Sequence, residues 1–99
     1  VLVGLLLALG CASYTWKAVP AVDAFRASGL KRASFELKCP EDQIAVTALN
    51  SKECQQRSDG PYVCAGAQMA AEGCGNRTTY LFPPLGHGDD WIRNSEILK

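Results

Sequence analysis

Residues 35–49 read FELKCPEDQIAVTAL, and the fold turns on the Cys39-Pro40 pair inside them. A residue that precedes proline is pushed out of the α region, so a helix arriving from the N-terminal side ends there. Upstream, residues 23–37 place Leu30, Ala33 and Leu37 on one face. Asp23 stands where it can cap the helix start. Arg26, Lys31 and Arg32 lie toward the other end, which the helix dipole favours for cations. Gly29 weakens this helix near its middle. Downstream, residues 43–49 alternate, with Ile44 and Val46 on one side and Thr47 on the other, which is the period of a strand.

Working outward, residues 50–62 are polar and contain the turn residues Asp59-Gly60-Pro61. Residues 62–64 and 68–74 can form further strands. Glycines flank Cys74, so residues 74–77 read as a tight turn or bulge. The β-branched and aromatic residues 78–82 form another strand, which Pro83-Pro84 ends. A loop over 85–90 leads to a last strand over 91–98. The predicted fold class is α+β: one N-terminal helix, then a small antiparallel sheet of three to four strands, stapled by disulfides.

The staples follow from the cysteines. The chain has 99 residues and five cysteines, and a domain this small has little core to stabilise it. With Cys11 set aside, Cys39, Cys54, Cys64 and Cys74 make an even set with three possible pairings. The nested pairing, Cys39–Cys74 with Cys54–Cys64, is favoured. Cys54 and Cys64 flank one polar loop, and Cys39 and Cys74 lie just outside the two most strand-like segments. Intervening spacings of 14, 9 and 9 residues lack the close pairs of a structural zinc site. There is no Cys-x-x-Cys of the thioredoxin kind.

Residues 1–10 are wholly apolar and the first charge is Lys17. Such a run, closing on small residues, reads as a signal-peptide core. The chain begins at Val1 rather than Met, so an upstream piece is expected. The uncharged residues 1–16 fall short of the roughly 20 that span a bilayer; an apolar extension upstream would make a single-span protein the alternative. Leu7-Ala8-Leu9-Gly10-Cys11 resembles a bacterial lipobox, in which cleavage precedes the cysteine and its thiol takes a diacylglyceryl group. Ala8 and Leu9 depart from that pattern, which favours leucine and then a small residue at these places. The resemblance implies a lipid anchor on Cys11, and Ala12 after it mildly favours outer-membrane sorting. The expected organisation is residues 1–10 as signal core, 11–22 as anchor and tether, and 23–99 as the domain.

A wider pattern joins FELKCPEDQIAVTAL to AAEGCGNRTTYLF at residues 70–82. Phe35, Cys39, Pro40, Ile44, Val46, Gly73, Cys74, Gly75, Arg77, Thr79 and Tyr80 carry it, with Trp91-x-x-Asn94-Ser95 following. Over about residues 32–95 the chain resembles a family of small secreted or lipid-anchored proteins common in myxobacteria. Cys54 and Cys64, in an enlarged middle loop, depart from that family. The resemblance implies a small α+β domain and an envelope address, and no activity.

Ten basic and ten acidic residues give zero net charge, which disfavours nucleic acid as a partner. His87 stands near Asp89 and Asp90, a set that could hold a metal but reads first as a solvated glycine loop. The adjacent acids Glu41-Asp42 and Asp89-Asp90 read as surface charge rather than a glycosidase pair. No Ser-His-Asp set is marked out. Asn76-Arg77-Thr78 fits a glycosylation sequon, and Trp91 and Tyr80 read as core. The expected function is a membrane-anchored envelope lipoprotein with a structural or protein-interaction role, without catalysis, cofactor or small-molecule substrate. A metal-dependent module built on His87, Asp89 and Asp90 is the second alternative.

Overall fold

The computed structural model describes residues 15–58, 60–86 and 90–98. They form β1 (Trp16–Val19), α1 (Ala21–Ser28), α2 (Leu30–Leu37), a 3-10 turn (Glu41–Gln43), β2 (Ala45–Ala48), β3 (Cys54–Arg57), β4 (Tyr62–Val63), β5 (Gln68–Gly73), β6 (Asn76–Leu81) and β7 (Ile92–Arg93). The class is α+β, as the sequence indicates. The finer expectation of one helix and one sheet needs correction: there are two helices and two antiparallel sheets, ordered β1-β3-β4 and β2-β5-β6-β7.

The helix breaks at Gly29, which takes φ −121° and ψ −15° between α1 and α2. A Cβ on Gly29 would stand 2.7 and 2.8 Å from carbons of the Phe25 ring and 3.0 Å from the Trp91 ring. Glycine therefore lets two core aromatics reach the backbone where the helix bends. Asp23 is not the cap. The helix begins behind Pro20, and Asp23 sits in the first turn, where its charge complements the dipole. At the other end Lys38 is left-handed (φ 54°, ψ 51°), and both its amide and that of Cys39 donate to the Ser34 carbonyl. This is a Schellman-type ending, placed immediately before Pro40.

Both helices pack on one face of the four-stranded sheet. The β5–β6 ladder pairs Met69 with Tyr80 and Ala71 with Thr78, and all four are buried. The two strands join through Cys74 (φ 53°) and Gly75 (φ 80°), with Gly73 paired to Asn76. Two successive left-handed residues are what a two-residue hairpin turn requires. Gly73 is needed for another reason: a Cβ there would lie 2.7 Å from the Gln43 carbonyl and 2.9 Å from Cys39 Sγ.

The core is centred on Trp91, which meets Phe25 at 5.0 Å and Phe82 at 5.1 Å, both edge-on at 80°, while Phe25 leans on Tyr80 at 5.3 Å. These are favourable aromatic geometries. Trp91 Nε1 donates to Ser28 Oγ (2.9 Å), which donates in turn to the Ala24 carbonyl (2.5 Å). Trp91 and Tyr80 are core, as read from the sequence.

Residues 17–22, expected as a tether, are structured: Trp16–Val19 pair with Cys54–Arg57, and Ala21 and Val22 open α1. The polar stretch 50–62, expected as a loop, supplies β3. The last strand is shorter than the expected 91–98. Ile92–Arg93 pair with β6, and a bridge between Arg77 and Leu98 follows. Between them, Asn94 and Ser95 hydrogen-bond Thr78 and Thr79, through Thr79 Oγ1 to Asn94 Oδ1 (2.5 Å) and the Thr79 amide to Ser95 Oγ (3.0 Å). The Thr-Thr-Tyr and Trp-x-x-Asn-Ser stretches are thus two sides of one contact.

Replacing Gly29 by alanine tests this packing. Helix propensity alone favours Ala by about 1 kcal/mol. The ring contacts reverse the sign, and a net loss of about 1–2 kcal/mol is expected in urea unfolding. A gain would show that the rings do not close on the bend.

Candidate site: a cationic groove at the helix junction

The break at Gly29 sets the last turn of α1 beside the first turns of α2. Leu30, Ala33 and Leu37 are buried, so residues offset from them around the helix point outward. Phe35 lies almost opposite that buried stripe and is 84% exposed. Arg26, Lys31, Arg32, Phe35 and Glu41 line an open groove of about 810 Å³.

Its three cations differ in their commitments. Arg32 donates from Nη1 to the Trp91 carbonyl (2.7 Å), and its Nε lies 3.5 Å from Glu36 Oε1. The same carboxylate oxygen accepts from Tyr80 Oη at 2.5 Å. Arg32 thus joins α2 to the C-terminal segment and floors the groove. Arg26 and Lys31 make no ion pair or side-chain hydrogen bond among the described residues. Two uncommitted cations, a fixed third, one carboxylate at Glu41 and a solvated aromatic ring can bind an anionic ligand that also carries apolar surface.

The cysteines expected to pair do so as Cys39–Cys74 and Cys54–Cys64, with Cα separations of 5.6 and 4.2 Å. The first ties the end of α2 to the β5–β6 turn. The second crosses the β3–β4 hairpin between facing positions. Cys11, His87 and Asp89 lie outside the described residues, and Asp90 is exposed. Among the described residues no group of three or more His, Cys, Asp or Glu could hold a metal, and no helix is long and apolar enough to cross a membrane. Glu41 and Asp42 are exposed on the 3-10 turn. Asn76 of the sequon is occupied, since its Nδ2 donates to the Leu37 carbonyl at 2.9 Å.

The groove itself was not legible in the sequence. Arg26, Lys31 and Arg32 read there as dipole partners, and Phe35 as part of a family pattern. The available signal was Phe35 four residues after Lys31 and three after Arg32, which puts ring and cations on one helix surface.

Burial raises the Tyr80 phenol well above its ordinary value of 10.0, and the hydrogen bond to the Glu36 carboxylate and its charge raise it further. A pKa raised on folding gives stability that is complete below the unfolded value and is lost as pH climbs from there toward the folded one. Urea midpoints are expected to show no Tyr80-linked change below about pH 9 and a decline above about pH 10. That decline should shrink in Tyr80→Phe; an unchanged alkaline decline in Tyr80→Phe contradicts the assignment.

No family model matches the chain, and no curated protein or solved structure matches it either.

Proposed function

We propose that this chain is an exported, lipid-anchored protein of the bacterial envelope, acting through protein contact rather than catalysis. The observation that carries the reading is the pair of cystines, Cys39–Cys74 and Cys54–Cys64. Disulfides form and persist in oxidising compartments, and small exported domains depend on them. Cys11 is the remaining cysteine and closes an apolar run, where a thiol can meet the bilayer. Several acyl chains on that residue anchor a protein stably, which one chain does not. Ala12 mildly favours outer-membrane sorting, and the family resemblance carried by Cys39-Pro40 and Gly73-Cys74-Gly75 implies an envelope address. Because β1 starts at Trp16, the domain sits within a few residues of the anchor, with little free tether. The groove at the α1–α2 junction is the contact surface in this reading.

The anchor is tested by growing bacteria that express the full precursor with an alkyne-bearing fatty acid. Label is expected on the wild-type chain in the membrane fraction. Cys11→Ser is expected to lose the label and to accumulate unprocessed. An unlabelled wild type, or label unaffected by Cys11→Ser, overturns the proposal.

A further inference from the structure

We infer that the groove between α1 and α2 is a docking site for an acidic segment of a partner protein, with carboxylates at Arg26 and Lys31 and an apolar side chain on Phe35. This deepens the contact role proposed above and rests on that reading.

Three observations carry it. First, Phe35 is the most exposed aromatic among the described residues, at 84%. It adds nothing to the core, and the surface it offers has no intramolecular use. Second, Arg26 and Lys31 flank it without a counter-ion among the described residues, while Arg32 is already held by Glu36 and the Trp91 carbonyl. Charge complementarity therefore asks for at least two carboxylates, which fix the register of a segment more than they add raw affinity. Third, Glu41 brings a negative charge to the same groove. A peptide can answer both signs, with a lysine or arginine placed beyond its acidic residues.

An anionic membrane fits these observations less well. A headgroup layer is flat and of one sign, whereas the groove is concave and contains a carboxylate. An isolated phosphate would satisfy the cations and leave Phe35 in water. The groove also lies at the end of α1 remote from Pro20 and β1, so the strand leading toward Cys11 does not hold it against the bilayer.

The test uses the full chain in detergent micelles against a phage library of random dodecapeptides. Counter-selection uses Arg26→Glu/Lys31→Glu, whose exposed positions leave the fold intact by circular dichroism. Enrichment of peptides that combine Asp or Glu with one or two apolar residues is expected. A selected synthetic peptide should bind the double variant at least about tenfold more weakly, and Phe35→Ser about tenfold more weakly. Its affinity should also fall as salt rises. Absence of enrichment, or peptides that bind both variants as well as the wild type, overturns the inference. So does cation-dependent binding to phosphatidylglycerol vesicles with no peptide selected, which would make the surface a membrane contact. Fatty-acid labelling separates the two proposals. A labelled chain without peptide selection sinks the docking site alone, and an unlabelled chain that selects acidic peptides sinks the envelope address alone.

Discussion

Two cystines hold together a domain whose own core is thin. Of the buried apolar residues, six are alanines: Ala21, Ala24, Ala33, Ala67, Ala70 and Ala71. Each contributes little burial, so the apolar stabilisation falls mainly to Trp91, Phe25, Tyr80, Phe82, Leu37 and Met69. Cys39–Cys74 closes a separation of 35 residues and Cys54–Cys64 one of 10. Taken singly, chain-entropy arithmetic assigns them about 4 and about 3 kcal/mol, and nesting reduces the sum. That is large against the margin of a small domain. The first bridge joins helix to sheet. The second braces a three-stranded sheet whose strands, WKAV, CQQR and YV, bury only Cys54 fully.

What could be read from the chain divides along the same line. Where a residue's local chemistry decides the structure, the reading succeeds. Cys39-Pro40 ends α2, the strands expected over 68–74 and 78–82 are found at Gln68–Gly73 and Asn76–Leu81, and the turn expected over 74–77 is made by Cys74 and Gly75. The nested pairing is the one found. Where the structure depends on a partner distant in sequence, the reading fails. Cys54–Arg57 lacks a strand's alternation and becomes β3 because Trp16–Val19 and Tyr62–Val63 lie on either side of it. At Gly29 the space a Cβ would occupy is taken by the Phe25 ring and by Trp91, 62 residues later, and the second of these is not visible locally.

The same long-range packing creates the candidate site. In an unbroken helix over 23–37, Arg26 would lie about 140° around the axis from Lys31 and about 180° from Phe35. With the helix broken at Gly29, Arg26, Lys31 and Phe35 line one groove. Trp91 closes one side of the bend, and its carbonyl fixes Arg32. Core packing and surface chemistry therefore meet at one junction.

The most direct test of the cystine framework is a non-reducing peptide map of the native chain, with free thiols blocked in the intact cell before lysis. Linked peptides containing Cys39 with Cys74 and Cys54 with Cys64, with none of the four blocked, are expected. Four blocked thiols, or a different pairing, would contradict both the framework and the oxidising compartment inferred from it.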